Sequence, residues 1–384
     1  MSLLEGKRLY DHVQRFATAF GPRPAGGPNE TAAREALKDY LHQHGIHQTT
    51  HLPFSTTNTW GYGLIAPLIL ALLPQCIPHT NRYLRATASL LSLQQSWLTM
   101  NGQMRYQPFY RLYPQYPGGT LVARIPAAQT PKRTVVLIGH TDSNKHRPTF
   151  SPKLKRSLRL ASTSIHVAML GNAIASLLNE PRSRLMTTAY MLFSLASVIA
   201  DELGPYVEGA NDNGSAVACV LGLGEQALAT PLTSTEVWLA FTGSEEVSHD
   251  GLNVMLDHYG AQLQDAYWID FEMVGKGSTH FVEQYHGLNY LVKCQPDTDT
   301  LHLAQTVAAR HPELQVTGSE PLLYDEVATL RRRGFRGITL VGLDSDGYLG
   351  NWHQRTDTIE NIEPQPLERA AQFAWHMMKH LDQQ

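Results

Sequence analysis

Five short patterns concentrate the side chains of this sequence that bind divalent cations or move protons. Gly139-His140-Thr141-Asp142-Ser143 couples an imidazole to an acid two residues on. Glu208-Gly209-Ala210-Asn211-Asp212-Asn213-Gly214 places an acid in a turn-rich stretch that opens a helix of small and apolar residues. Phe241-Thr242-Gly243-Ser244-Glu245-Glu246 ends in adjacent acids, and Tyr267-Trp268-Ile269-Asp270-Phe271-Glu272 carries two acids two positions apart. Gly350-Asn351-Trp352-His353-Gln354-Arg355-Thr356-Asp357 sets a histidine in a glycine-bounded loop. Singly, each has an ordinary structural use: Asp212 stands where a helix cap would stand, and most of the 18 histidines are scattered without pattern. Together they supply two imidazoles and three carboxylates, the nitrogen-and-oxygen set that zinc accepts.

The chemistry each can do follows from its donors. His140 offers a neutral ring nitrogen, and Asp142 can accept its other N–H and fix the tautomer. The two oxygens of Asp212 could bridge a pair of ions. Glu245 and Glu246 repel each other unless a cation intervenes. With metal present, one of the two can ligate while the other stays free as general base for a metal-bound water. Asp270 and Glu272 are both able to ligate, and Asp270 is the preferred reading.

These residues need elements to hold them. Gly119 to Ile125, Thr134 to Gly139, Thr235 to Phe241, Ala266 to Asp270 and Gly337 to Val341 read as strands. Helical spacing marks Ser215 to Ala229, Thr300 to Arg310, Asp325 to Arg333 and Pro366 to Leu381. Strand and helix alternate, which predicts an α/β fold, a three-layer α/β/α sandwich around a mostly parallel mixed sheet. The candidate residues follow strands, at the carboxyl edge where open sheets bind ligands. Two helical patterns flank the Gly21 to Gly27 loop near the start.

Two stretches interrupt the alternation. Trp60 to Pro78 and Ala86 to Met104 each run 19 residues without a charge, joined by a turn with His79, Arg82 and Arg85. Leu160 to Asn179 and Leu185 to Ala200 form a second pair around Pro181, Arg182 and Arg184. Each pair predicts a helical hairpin, so the expectation is one catalytic domain over 1–384 with hairpin inserts at 60–104 and 158–202. Their lengths approach the roughly 20 residues that cross a bilayer, while Gln94, Gln95, Asn101, His166 and Asn172 dilute them. Soluble hairpins packed over the core and membrane contact both fit. Basic residues in the turns and at Lys153, Lys155, Arg156 and Arg159 assign no orientation.

The 31 Lys+Arg against 34 Asp+Glu, with no block of one sign, exclude the basic surface of a nucleic-acid binder. Cys76, Cys219 and Cys294 form no C-x-x-C pattern and propose neither a disulfide framework nor a thiolate site. A reducing compartment fits them. Met1 to Phe16 has no apolar run of signal-peptide type. The expected location is therefore the cytoplasm, soluble or held at a membrane by the hairpins.

The ordered set of His-x-Asp, Gly-Ala-Asn-Asp-Asn, Glu-Glu, Asp and His followed by Asp-Thr resembles the M28 family of zinc aminopeptidases and related peptidases. The resemblance includes Phe20-Gly21-Pro22-Arg23 and the stretch from Tyr324-Asp325 to Val341. It implies two Zn2+ ions, with Co2+ or Mn2+ as substitutes, held by His140 and Asp270 on one side and Glu246 and His353 on the other. Asp212 bridges, Glu245 is the general base and Asp142 is the partner of His140. The implied activity is peptide or aminoacyl-amide hydrolysis, most simply as an aminopeptidase. The sequence departs from the family in spacing, because the second hairpin stretches the interval from His140 to Asp212 to 72 positions. Two alternatives are a one-zinc glutaminyl cyclase, which resembles the same fold, and a non-catalytic membrane or binding scaffold, a type that tends to lose ligands. All five candidates are present here.

Overall fold

The computed structural model describes residues 3–384; Met1 and Ser2, the start of the stretch read for a leader, lie outside it. Helices α1 (Gly6–Phe20) and α2 (Pro28–Gln43) flank the Gly/Pro-rich loop, and strand β1 (Thr49–Thr56) follows. The first hairpin is α3 (Tyr62–Cys76) and α4 (Arg82–Met100), leading into β2 (Tyr116–Ile125) and β3 (Arg133–His140). The second is α5 (Leu158–Leu177) and α6 (Pro181–Glu202). Then come α7 (Ser215–Ala229), β4 (Thr235–Thr242), the single turn α8 (Glu245–Ser248), α9 (Asp250–Tyr259) and β5 (Tyr267–Glu272). The chain ends with β6 (Ser278–Val282), the small ribbon β7 (Tyr285–His286) and β8 (Lys293–Cys294), α10 (Thr298–Arg310), β9 (Thr317–Ser319), α11 (Glu326–Arg332), β10 (Ile338–Leu343) and α12 (Pro364–Asp382).

Eight strands form one mixed sheet in the order β1-β2-β4-β3-β5-β10-β6-β9. The four central strands β4, β3, β5 and β10 run parallel, and β2 and β6 flank them antiparallel. Their near-continuous Val/Ile/Leu/Trp runs suit strands buried on both faces. Helices α1, α7 and α12 seal one face through Leu9, Val217 and Met378, while α9 and α11 seal the other through Leu252, Met255 and Val327. The expected three layers are thus present. β1, which carries Pro53, pairs only with β2 at the sheet margin, where a residue without an N–H is tolerated.

The four hairpin helices pack on one another in sequence, α3 on α4, α4 on α5 and α5 on α6, and α6 closes the ring against α3. They enclose their own apolar cluster around Leu68, Met169 and Met191. The bundle stands beside the carboxyl edge of the sheet. Its junction with the sheet layers is polar: Glu202, at the end of α6, accepts from Lys145 Nζ (2.9 Å), Arg147 Nη1 (2.7 Å) and Thr59 Oγ1 (2.8 Å). Arg147 is fully buried, with its guanidinium over the Trp60 ring at 3.9 Å.

Candidate metal centre

The parallel strands deliver the donors together because they end at one edge. His140 is the last residue of β3 and lies in register with Thr242 at the end of β4, so Glu245 and Glu246 emerge just beyond it. Ser244 turns the chain there with a left-handed φ of 57°. Asp142 fixes this turn, its two carboxylate oxygens accepting the backbone N–H groups of Glu245 and Glu246 at 3.1 Å each. The Nδ1–H of His140 donates to the Asp142 carbonyl at 3.1 Å, with a carboxylate oxygen 3.4 Å away. A carbonyl can only accept, so Nδ1 carries the proton and Nε2 is left free for a cation.

Asp212 comes from the loop before α7. Asp357 accepts from the N–H groups of Asn211 (2.6 Å) and Asp212 (3.1 Å), which accounts for the acid that follows His353 in the last pattern. Gly209 begins this loop at φ 66°, and a Cβ there would lie 2.5 Å from both the Asp212 carbonyl and the Ser143 side chain. Arg23, fully buried, donates to the carbonyls of Thr141, Gly21, Glu208 and Gly209 at 2.8–2.9 Å. The Gly-Pro-Arg segment is thereby explained: its arginine clamps the loops carrying His140 and Asp212.

The resulting geometry is a ring around Asp212. One carboxylate oxygen of Asp212 lies 3.3 Å from His140 Nε2 and the other lies 3.4 Å from His353 Nε2. His353 Nε2 is 3.3 Å from Glu246, and His140 Nε2 is 3.8 Å from both Glu272 and Glu245. Donors about 2.0–2.1 Å from a tetrahedral zinc are separated by about 3.3–3.4 Å along a tetrahedral edge. Three trios, His140-Asp212-Glu272, Asp212-Glu246-His353 and His140-Glu245-Glu246, therefore have dimensions capable of holding an ion, and the first two share Asp212.

The acid of β5 that stands beside His140 and Asp212 is Glu272, where the sequence favoured Asp270, although Asp270 Oδ2 is also buried without a hydrogen-bond partner among the described residues. Register gives the reason: Asp270 lies level with Ile138 on β3, so Glu272 lies two residues further, level with His140 at the sheet edge. Asn213 Nδ2 donates to Glu272 at 3.1 Å and aims it. Asp270 sits a layer deeper, where burial and then the charges of Asp325 and Glu326 push its carboxyl well above the usual range. The signal for Glu272 was its place at the very end of the strand.

The electrostatics ask for a cation. Burial pushes Glu246 up to about 7 and drives Glu245 and Glu272 well above the ordinary range; it raises Asp212 too, with Glu246 adding to the effect. Burial also lowers His353 to about 3, so it is a neutral ligand at ordinary pH. His140 Nε2 and Glu246 Oε1 are buried with no hydrogen-bond partner among the described residues. Orphaned donors and crowded acids of this kind are costly unless a divalent ion satisfies them, so the residues present fit zinc. Left-handed φ at Ser244, His249, Met273 and His353, all beside the ring, stores backbone strain where function concentrates.

Three further neighbours carry no motif signal. Asn144 Nδ2 donates to Glu246 at 2.6 Å and lies 3.1 Å from His353 Nε2. His249 Nε2 stands 3.2 Å from Glu245, its Nδ1 2.9 Å from the Thr329 hydroxyl. Its only hint was the i,i+4 spacing from Glu245. Phe150 packs against His353 with ring centroids 4.5 Å apart. From the ring a cavity of about 330 Å3 runs under the bundle, walled by Leu64 and Met100 of the first hairpin and Leu158, Ile165, Tyr190 and Val198 of the second.

Fold and site together define a class: α/β enzymes with a metal-binding cluster of His, Asp and Glu at the carboxyl edge of a mixed sheet. The profile of Peptidase family M28 matches residues 120–378, and the chain belongs to that family. A sequence search of curated proteins finds no match. Among solved structures, a zinc aminopeptidase from Bacillus subtilis superposes with TM-score 0.59 at 12% identity, covering 98% of this chain and 95% of its own. A Zn-dependent exopeptidase from Parabacteroides distasonis gives 0.59 at 14%, covering 98% of both chains. A glutaminyl cyclase from Tannerella forsythia gives 0.57 at 15%, again covering 98% of both. These similarities establish a shared fold.

Proposed function

We propose that this protein is a two-zinc aminopeptidase. The observation that carries the reading is the pair of donor trios sharing Asp212, with one carboxylate oxygen directed to each histidine. His140 and Glu272 would hold one ion, Glu246 and His353 the other, and Asp212 would bridge. The ions, when bound, supply an acidified water and polarise the scissile carbonyl. Glu245 is the base: it borders the ring, 3.8 Å from His140 Nε2, and stands outside the two trios that share Asp212, its place in a third trio with His140 and Glu246 keeping it beside the metal-bound water. It accepts the proton of the attacking water and returns it to the departing amine. His249 holds the other carboxylate oxygen in place.

The cavity argues for the substrate. Away from the ring its only acid is Asp201, whose two oxygens are engaged by the Thr149 N–H and hydroxyl at 3.0 and 2.6 Å. Its walls are otherwise apolar or hydroxylic, so the residue beside the scissile bond carries a large apolar side chain. About 330 Å3 falls at the lower end of pockets that enclose ligands larger than a single small side chain. The discriminating experiment measures zinc per chain and the products from an apolar aminoacyl amide and an N-terminal glutaminyl peptide. Two zinc equivalents with a released amino acid support the reading. One equivalent with a cyclised product would replace it with the cyclase.

A further inference from the structure

We infer that the bundle α3–α6 is seated in a lipid bilayer, with the catalytic layers at one surface and the two hairpin turns at the other. Beside the apolar cluster around Leu68, Met169 and Met191, the bundle buries a file of polar side chains and turns apolar ones outward. Its interior holds Ser89, Ser92, Gln95, Ser96, His166 and Asn172, all buried. Asn172 ties three helices together, accepting from Ser89 at 3.0 Å and donating to the hydroxyls of Thr187 and Thr188 at 2.9 and 3.0 Å. Its outside is hydrocarbon: Ile69 and Leu73 on α3, Leu91 on α4, Val167 and Leu170 on α5, and Phe193 on α6 are all exposed. A bundle folded in water keeps polar side chains of this kind outside and does not leave an apolar face on every helix. Small and polar residues between helices with apolar residues outward is the membrane pattern.

Charge and length agree. α3 has no charged residue, α4 none after Arg85, α5 none after Arg159, and α6 none between Arg184 and Asp201. Charges thus mark the two ends and leave the belt between them bare. The turns share one end, since Asn172, in the last third of α5, meets Ser89 in the first half of α4 and Thr187 in the first third of α6. That end carries Arg82, Arg85, Arg182 and Arg184 against the single acid Glu180, a set able to snorkel into headgroups. The opposite end, with Lys155, Arg156 and Arg159, meets the catalytic layers. At about 1.5 Å per residue, α4, α5 and α6 measure about 28, 30 and 33 Å, the thickness of a hydrocarbon core, while α3, at about 22 Å, reaches only part of the way across. α6 is the extreme case, burying only Met191, Ser194, Val198 and Asp201. The outward apolar face occurs on every helix of a closed ring, which suits an annulus of lipid better than one flat protein contact.

The test uses the full chain expressed in cells. Sedimentation with the membrane fraction, resistance to alkaline carbonate, and release by detergent are expected. A paired variant, Leu170→Glu with Phe193→Glu, changes two exposed side chains and should move the protein into the carbonate supernatant. A wild-type chain that stays in the high-speed supernatant without detergent, as monomer or as soluble oligomer, overturns the inference. So does a Glu variant still embedded as firmly as the wild type. Neither readout depends on catalysis, so the hydrolase reading stands or falls separately.

Discussion

Glu245 and Glu246 are adjacent in sequence and opposite in assignment: Glu246 faces His353 and Asn144, whereas Glu245 faces His249 and the outer side of His140. Glu245→Gln is expected to lower turnover by about 10²–10⁴-fold while two zinc equivalents remain, read by steady-state kinetics beside metal analysis. The acids of β5 make a sharper comparison. Glu272→Gln should cost one zinc equivalent and most of the activity; Asp270→Asn should keep both metals and near-normal turnover, because Asp270 lies below the ring. The reverse result would return the fifth ligand to Asp270. This pair also marks the limit of what the residues disclosed alone. His140 and the glutamate pair were legible because each follows an apolar run ending in polar residues, and Asp212 and His353 because each sits in a glycine-bounded loop. The choice between Asp270 and Glu272 was not, since both lie on one face of the same strand and only register against β3 and β10 tells which reaches the edge.

Elements impose their own charge logic. At the corner of α1, α2 and α7, Glu225 receives hydrogen bonds from Arg8 at 2.6 Å and from the Tyr40 hydroxyl, with His12 3.6 Å away. Burial alone would raise its carboxyl, but these partners outweigh it and hold it down at about 2. A carboxyl depressed on folding stabilises above its unfolded pKa, near 4.3, and loses that contribution as pH falls through the folded value. On the order of 3 kcal/mol should therefore fade between about pH 5 and 2. Glu225→Gln should flatten the acid limb of a thermal-melt profile over that window and leave the neutral plateau lower. The helix boundaries of α7 and α12 were readable from periodicity, and α7 matches it end for end. β1 escaped because Pro53 argues against a strand interior, and only the sheet's topology reveals a margin where proline is harmless. The closure of α6 on α3 was likewise invisible, since the two helices are separated by more than a hundred residues.

Across the whole molecule, the bundle walls the apolar chamber beside the His/Asp/Glu ring, and under the proposed function that chamber selects the substrate. Ala161→Trp, which fills the chamber from α5, should raise KM for substrates with large apolar side chains and leave small ones such as alanyl amides little changed. An equal effect on both would place the binding site elsewhere. Phe193 and Leu154 line the same chamber and are also exposed, so its mouth opens at the bundle's flank. The junction at Glu202 is the other whole-molecule feature. Glu202→Ala should cost about 3 kcal/mol in a thermal-unfolding comparison, because it strands a buried guanidinium. That junction also decides how the molecule can be cut. Arg147 and Lys145 lie on the loop that carries Asn144, and their counter-charge comes from the last residue of the bundle. Excising the hairpins would leave two cations facing a vacated seam next to Glu246, and the loop would swing out with them. A trimmed version of this protein would need Lys145 and Arg147 replaced by neutral residues before its catalytic half could close.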